Sequence, residues 1–164
     1  MKRTDIINAF IQKYGYKSYL EVGTQNPESN FNLIDISNKI SIDPFPKGKV
    51  DYICTSDEFF ESIVAKHNYK FDIIFIDGLH HDDQVLRDIN NSLEILNDGG
   101  TIIVHDCLPT TEDMQARNDH GREWTGDVWK AIAELRVERI DLDIKVVNTD
   151  YGCGIIRRGT NIPY

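Results

Sequence analysis

Acidic residues and histidines recur where the apolar runs of this sequence come to an end. Four apolar runs that are predicted to be strands end in such residues: Glu21 to Gly23, Asp43, Asp77-Gly78 and His105-Asp106. In open α/β sheets, ligands bind outside the carboxyl ends of the parallel strands. Four strands ending in this way predict that one rim of the sheet forms the functional site.

The loop after the first run indicates which kind of ligand this rim binds. Residues 23–29 read GTQNPES, so the G-x-G-x-x-G loop that brings backbone close to a pyrophosphate is missing. Asp43 lies 20 residues after Gly23, about where an acid accepts hydrogen bonds from ribose hydroxyls. A ribose acceptor without a phosphate loop favours a nucleoside that carries no phosphate, such as S-adenosylmethionine. The alternative for Asp43 is an acid that caps the turn before Pro44.

Five groups that transfer protons or bind metals follow the two later strands: Asp77, His80, His81, His105 and Asp106. Two carboxylates with a histidine can orient an acceptor hydroxyl and remove its proton, with or without a divalent cation. We predict His80 as the general base because it directly follows the Asp77-Gly78 turn, and Asp77 and Asp106 as its catalytic partners. We expect His81 to open the next helix and His105 to face away from Asp106, since side chains alternate along a strand. The alternative is that both acids only cap turns or hydrogen-bond the loops above them.

The elements that must position these residues alternate between strands and helices. The patterns predict strands over 18–24, 39–43, 50–54, 71–77 and 101–106, followed by an antiparallel pair over 143–150 and 153–158. Helices are expected within 1–17, over 26–36, after a capping box at Thr55, over 82–96, and around Val128, Ile132 and Leu135. This alternation is typical of a parallel sheet covered on both faces. Residues 107–123 are polar and irregular, and connections of that length are usually lids, binding loops or disordered segments.

Several segments together resemble a known family. EVGT (21–24), IDP (42–44), TSDEFF (55–60), FDIIFIDGLHH (71–81) and NDGGTIIVHD (97–106) are similar to class I S-adenosylmethionine-dependent methyltransferases, and more narrowly to a small bacterial methyltransferase-domain group with IDGxH and HD motifs. The resemblance covers residues 18–158. It implies a three-layer Rossmann-like fold with a mostly parallel seven-stranded sheet whose last strand is antiparallel. We expect one methyltransferase domain over 1–164, with 107–123 as its active-site loop.

The resemblance also implies roles for individual residues. Glu21 and Gly23 would lie beside the methionine part of the cofactor, Asp43 would hold the ribose, and Ser56 and Asp57 would lie near the adenine. The predicted cofactor-binding set is completed by Thr24, Pro44 and Asp77. The first loop departs from the family pattern, because many members have G-x-G where this chain has Thr24 and Gln25 after a single glycine.

A divalent cation is the second cofactor that the resemblance suggests. Some class I O-methyltransferases place a metal at these strand ends, with acids that correspond to Asp77 and Asp106. These two acids are therefore the predicted ligands of a magnesium-type ion that would orient and acidify a hydroxyl.

Composition narrows the classes of partner. The 164 residues include 27 acids against 18 bases, for a net charge of −9, which disfavours nucleic acid and anionic membranes. No run approaches the roughly 20 apolar residues of a spanning helix, and no signal-peptide core follows the MKR start. Three cysteines without a C-x-x-C pair indicate neither a disulfide framework nor a zinc site. We expect a bacterial, cytoplasmic protein with a small-molecule substrate.

The predicted function is S-adenosylmethionine-dependent methylation of an oxygen on a small polar metabolite or glycan precursor. Mixed charges in 107–123, followed by Trp124, suit a polar acceptor such as a sugar. Two alternatives come from other classes. One is a non-catalytic scaffold module with a cofactor fold, and the other is a metal-dependent hydrolase that uses Asp77, His80 and Asp106.

Overall fold

Six strands form one mixed sheet in the computed structural model, which describes residues 1–160. The spatial order of the strands is β2-β1-β3-β4-β6-β5. The first four run parallel, and β6 lies antiparallel between β4 and β5. The strand bounds are β1 Tyr19–Val22, β2 Lys39–Ile42, β3 Phe71–Ile76, β4 Leu96–Val104, β5 Leu142–Val147 and β6 Cys153–Arg158. Residues 161–164 of the predicted domain lie outside the described residues.

Four helices pack on the two faces of this sheet. Helix α1 spans Arg3–Tyr14, α3 spans Asp82–Ile95 and α4 spans Val128–Glu138. Helix α2 consists of an α-helical turn Ser56–Glu58, a π-helical stretch Phe59–Val64 and a last turn Ala65–His67. The predicted capping box opens it, because the Thr55 hydroxyl accepts from the Glu58 N–H while the Glu58 carboxylate accepts from the Thr55 N–H.

The alternation of side chains along β3 explains the three layers. Ile74 and Ile76 share one core with α2, α3 and α4, whereas Ile73 and Phe75 share a second core with α1. All four side chains are almost fully buried, as expected for a central strand covered on both faces. The predicted Rossmann-like fold class is therefore confirmed.

The strand predicted over 50–54 is wrong, and its loss accounts for six strands instead of seven. The segment makes one isolated bridge, Ile42 to Tyr52, beside the edge strand β2. The N–H groups of Asp51 and Tyr52 both donate to the Ser41 carbonyl, and the Asp51 carboxylate accepts from the Ser41 N–H. The bond from Tyr52 is half of that bridge, whereas Asp51 bonds the same Ser41 instead of the next residue along β2, so pairing stops after one bridge.

Two other segments differ from their predictions. Residues 26–36 form two 3₁₀ turns, Pro27–Ser29 and Phe31–Leu33, although Asn26 does cap the first as expected. Strand β4 begins before the expected 101, at Leu96, and its register shifts around the Asp98-Gly99-Gly100 segment. Such a shift is the signature of a β-bulge, and Gly99 has the positive φ of 75° that bulges often need.

Parallel pairing brings the carboxyl ends of β1, β2, β3 and β4 to one rim. The terminal β5–β6 pair is confirmed, and its turn at 148–152 returns the chain to the same rim, where Cys107 N–H donates to the Gly152 carbonyl. Within residues 1–160, no helix is long and apolar enough to cross a membrane. Cytoplasmic location and bacterial origin stay predictions from the sequence.

Candidate active site

A cavity of about 770 Å³ opens at this rim. The strand ends that the sequence singled out meet there, together with the start of α2 and the segment that contains Trp124. Most of the predicted site residues line the cavity, namely Gly23, Asp43, Pro44, Ser56, Asp57, Asp77, His80 and Asp106.

Gly23 is required by the close approach of two strand ends. Its φ is +91°, and a Cβ at this position would lie 2.2 Å from the Asp77 carbonyl oxygen. Any other residue would push β1 away from β3. The backbone of the first loop therefore contributes the floor of the cavity next to Asp77.

Two predicted cofactor residues lie beneath this floor rather than in the cavity wall. The Glu21 carboxylate is buried, accepts from Asn30 Nδ2 at 2.7 Å, and accepts a short hydrogen bond from the Tyr19 hydroxyl. Burial raises the pKa of Glu21 to about 7, against the opposing effect of these donors. Thr24 is also buried, and its N–H donates to the Ile42 carbonyl. Both residues support the loop from below.

Asp43 stands at the end of β2, and its side chain is turned back on its own loop. Its Oδ1 accepts from the Phe45 N–H at 2.7 Å, which orders the 43–45 turn. Burial raises the pKa of Asp43 despite this hydrogen bond. Phe45 is 84% exposed at the mouth of the cavity. The carboxylate therefore both caps a turn and lines the cavity.

Helix α2 presents Ser56 and Asp57 to the cavity, and a residue of α3 fixes them. Gln84 Nε2 lies 3.1 Å from Ser56 Oγ, 3.0 Å from Asp57 Oδ1 and 3.0 Å from Asp88 Oδ1. Asp88 is buried, and burial raises its pKa to about 6. Gln84 and Asp88 were not predicted as site residues, although their i, i+4 spacing on the predicted helix is a usable signal.

His80 lies between two carboxylates at the ends of β3 and β4. Its Nε2 is 3.4 Å from Asp77 Oδ1, and its Nδ1 is 3.3 Å from Asp106 Oδ2. The second contact is poorly aligned, so the buried Nδ1 has no hydrogen-bond partner within residues 1–160. Burial lowers the pKa of His80, but Asp77 and Asp106 outweigh it and raise the pKa above the ordinary value.

His105 joins this cluster, contrary to the expectation that it faces away from Asp106. Strand β4 ends at Val104, and Asp106 has a φ of +61°, so the alternation of a strand no longer applies. His105 Nδ1 lies 3.1 Å from Asp106 Oδ1 and 3.2 Å from Asp77 Oδ1. Burial lowers the pKa of His105, but the two carboxylates outweigh it and raise that pKa to about 10.

Two residues that the sequence analysis missed complete the cluster. Arg3, the first residue of α1, places Nη1 2.6 Å from Asp77 Oδ2. Asp150, in the turn between β5 and β6, lies 3.0 Å from Arg3 Nε and 3.5 Å from His105 Nε2. Three carboxylates thus face three basic side chains: Asp77, Asp106 and Asp150 against Arg3, His80 and His105. The sequence separations, up to 147 residues, left no local signal for this pairing.

The segment 107–127 folds over His80. The Trp124 ring stacks on the His80 ring with centroids 4.9 Å apart, and Trp124 Nε1 donates to the Ala116 carbonyl at 2.5 Å. At Gly126, a Cβ would lie 2.0 Å from the His80 carbonyl oxygen. Arg117 ties the segment to the start of α3 through Asp82 and Asp83. His81 is the N-cap of α3, as expected, and His67 and His120 are exposed.

Comparisons with known proteins agree with this fold. A family model described as a methyltransferase domain matches residues 21–107, more than half of the chain. A search of curated protein sequences gives no significant match.

Three solved structures illustrate the shared fold. An O-methyltransferase from Bacillus cereus in complex with SAH (S-adenosylhomocysteine) has a TM-score of 0.68 and 14% identity, over 96% of this chain and 80% of its own. TomG, an O-methyltransferase from Streptomyces achromogenes in complex with SAM (S-adenosylmethionine), has a TM-score of 0.66 and 12% identity, over 95% and 79%. The methyltransferase PaMTH1 from Podospora anserina, bound to SAH, has a TM-score of 0.65 and 16% identity, over 96% and 78%.

The family match spans the strand ends and the helix start that surround the cavity. The segment from Glu21 to Cys107 carries both the loop at Gly23 and the cluster at Asp77, His80 and Asp106. With its six-stranded Rossmann-like sheet, the chain belongs to the methyltransferase-domain family and is a class I S-adenosylmethionine-dependent methyltransferase.

Proposed function

We propose that this enzyme transfers the methyl group of S-adenosylmethionine to an oxygen of a small polar acceptor. The observation that carries the proposal is a single cavity with two kinds of lining. Asp43 and Ser56 on one side suit a nucleoside, and His80 and Asp106 on the other side can accept a proton. The solved structures named above support oxygen as the target atom, because two of them are described as O-methyltransferases.

In the proposed cofactor pose, Asp43 accepts hydrogen bonds from the ribose hydroxyls and the backbone at Gly23 adjoins the methionine part. Ser56 and Asp57, held by Gln84, face the adenine. The methionine part reaches toward Asp77, which directly follows β3. These roles for the predicted site residues are part of the proposal.

The chemical step needs an aligned acceptor and a base. The acceptor oxygen attacks the methyl carbon in line with the carbon–sulfur bond, the oxygen–carbon bond forms, and the sulfur leaves as a neutral thioether. His80 takes the hydroxyl proton, and Asp77 and Asp106 stabilise the imidazolium that results. Trp124 holds the His80 ring by stacking.

The segment 107–123 is the proposed acceptor-binding loop. It carries charges of both signs, and Trp124 follows it at the cavity wall. Such a surface suits a polar acceptor with several hydroxyl groups, such as a sugar or glycan precursor.

A divalent cation does not fit the cluster as it is folded. Asp77, His80 and Asp106 each offer a ligand atom, and these atoms lie within 4.8 Å of one another. However, Arg3 already contacts Asp77 Oδ2, and His80 Nε2 lies 3.4 Å from Asp77 Oδ1. The carboxylate charge is matched by the chain's own basic groups, so no step of the proposed reaction is routed through an ion.

The cofactor part of the proposal can be tested with Asp43→Asn. The amide oxygen can still accept from the Phe45 N–H, so the turn is retained, whereas the charged ribose acceptor is lost. Because a hydrogen bond to a charged group is worth about 1.5–3 kcal/mol, titration calorimetry should show S-adenosylhomocysteine binding about tenfold or more weaker.

Asp35→Asn, on the exposed surface, is the matched control and should bind like wild type. Failure of the folded wild-type protein to bind either S-adenosylmethionine or S-adenosylhomocysteine would refute the proposal. Binding without turnover on a panel of sugars, nucleotide-sugars and phenols would instead favour a scaffold module. Ester or phosphoester cleavage without S-adenosylmethionine would favour a hydrolase.

A further inference from the structure

The first residue of helix α1 reaches into the centre of the rim. Arg3 is fixed there by Asp150, whose Oδ2 accepts from the Arg3 backbone N–H at 2.9 Å and from Nε at 3.0 Å. This double contact sets both the start of the helix and the direction of the side chain. The Arg3 side chain is 29% exposed and forms part of the cavity wall.

The other end of the guanidinium meets the catalytic cluster. Arg3 Nη1 donates to Asp77 Oδ2 at 2.6 Å and lies 3.2 Å from His105 Nδ1. A guanidinium stays protonated at every pH at which a protein is folded. Arg3 is therefore a permanent cation bonded to one carboxylate of the group that could hold a metal.

An ion and this guanidinium would compete for the same carboxylate. A divalent cation on Asp77, His80 and Asp106 would sit about 2.0–2.6 Å from its ligand atoms, and Asp77 would then carry two cations. The cluster already pairs Asp77, Asp106 and Asp150 with Arg3 and two histidines. An ion held by His80 would displace the proton of that histidine and bring two charges, so the cluster would carry an excess of positive charge in this half-buried place.

We infer that the Arg3 guanidinium takes the place of a divalent ion at Asp77 and excludes such an ion from the cluster. Arg3 is a positioning residue in this role, because it acts on Asp77 and not on a substrate. The inference goes beyond the proposed function, since cation competition is a property of the folded chain whether or not it methylates an acceptor.

The test is a titration of chelator-treated protein with Mn²⁺ alone, followed by electron paramagnetic resonance of the free ion. Wild type should show no saturable site. Arg3→Met keeps an unbranched, flexible side chain but removes its charge, and should bind one Mn²⁺ per chain at least about tenfold more tightly than wild type. Arg3→Lys keeps the positive charge and should behave like wild type.

Two further variants locate the ion and control for the loss of a paired arginine. Asp106→Asn in the Arg3→Met background should abolish the new binding, because it removes one of the ligands. Arg139→Met breaks a different arginine–aspartate pair, 2.8 Å long and outside the cavity lining, and should not create a site. Arg3→Gln is a second neutral variant, to be used if Arg3→Met does not fold by circular dichroism.

Two results would overturn the inference. One is a saturable Mn²⁺ site in wild type as tight as that of Arg3→Met, and this result needs no variant to fold. The other is a folded neutral variant that binds Mn²⁺ no better than wild type. Neither depends on methyl transfer, so a failure of the proposed function is seen separately, as absence of S-adenosylhomocysteine binding.

Discussion

At the scale of single residues, the surroundings of His80 set the pH range in which its proposed role as a base is available. Carboxylate oxygens face both ring nitrogens, at 3.4 and 3.3 Å, and they favour the imidazolium. The proposed role as a base requires the neutral ring, so a protonated His80 has to lose its proton before it can accept one from a hydroxyl. Because the pKa of His80 is raised, the neutral ring forms at a higher pH than in an isolated histidine.

We accordingly expect the rate of methyl transfer to fall as the pH decreases through a value above 6.5, the ordinary pKa of histidine. His80→Ala should lower kcat by about 100-fold or more, the usual contribution of a general base. Its affinity for S-adenosylhomocysteine should stay close to that of wild type. A pH–rate profile with calorimetry on the same samples measures both.

His67→Ala, on the exposed end of α2, is the matched control and should keep the wild-type profile. An unchanged kcat in His80→Ala would remove His80 as the base.

The sequence could predict the site residues that follow strands, because a parallel sheet brings all its carboxyl ends together. Asp43, Asp77 and Asp106 follow this rule, and all three line the cavity. Arg3 could not be found in this way, because its partners lie 74 and 147 positions away and only the folded chain brings them near. His105 was misplaced because the left-handed backbone at Asp106 is a local feature that residue types do not reveal.

At the scale of elements, the segment 107–127 is an ordered cover rather than a loose connection. Arg117 Nη1 contacts Asp82 Oδ1 at 2.7 Å and Asp127 Oδ2 at 3.3 Å, and its Nη2 contacts Asp83 Oδ1 at 2.5 Å. One exposed side chain thus joins the middle of the segment to its end and to α3. The backbone N–H of Asp82 also donates to the Asp127 carboxylate, which is a second link between α3 and the end of the segment.

Removal of this clamp should loosen the segment without unfolding the sheet. For Arg117→Met we expect amide hydrogen exchange within 111–126 to become about three- to tenfold faster, since exposed ion pairs contribute less than about 1 kcal/mol each. Exchange in β3 should not change. Mass spectrometry of deuterated peptides separates the two regions.

The comparison variant is Arg122→Met, whose side chain is 82% exposed and lies 3.8 Å from its acidic neighbour. It removes the same charge from the same segment and should leave exchange unaltered. Equal acceleration in both variants would contradict a specific clamp at Arg117.

Elements with a clear periodicity of apolar residues were predictable, whereas elements held by individual side-chain contacts were not. Helix α3 and strand β3 follow their apolar patterns almost residue by residue. The segment 50–54 has an equally strand-like composition, but the hydrogen bonds between Asp51 and Ser41 end its pairing. Composition does not encode which of two such arrangements an edge segment adopts.

At the scale of the whole molecule, the buried Glu21 links stability to pH. It packs below the first loop with Tyr19 and Asn30, away from solvent. Its folded pKa is about 7, against an ordinary value of 4.5. Between these values the folded chain keeps a proton that the unfolded chain releases, so this contribution to stability is complete below pH 4.5 and is lost as the pH rises to about 7.

Glu21→Gln should therefore be more stable than wild type at pH 8, by an amount on the order of 3 kcal/mol. The amide stays neutral, and its oxygen can still accept from Tyr19 and Asn30. The free energy of unfolding, measured with urea between pH 5 and 8, should decline less in the variant than in wild type.

Glu134→Gln, on the exposed face of α4, should follow the wild-type curve. A wild-type stability that does not decrease over this pH range would show that Glu21 is ionised in the folded chain.

The Trp124–His80 stack gives the site an optical signal of its own. A protonated imidazole in contact with an indole quenches its fluorescence, and these rings lie 4.9 Å apart. Emission of the protein then reports the charge of His80 and the distance of the covering segment from it. Trp129→Phe would leave Trp124 as the single emitter among the two tryptophans. The state of the site could be followed in this variant by stopped-flow fluorescence before any acceptor is known.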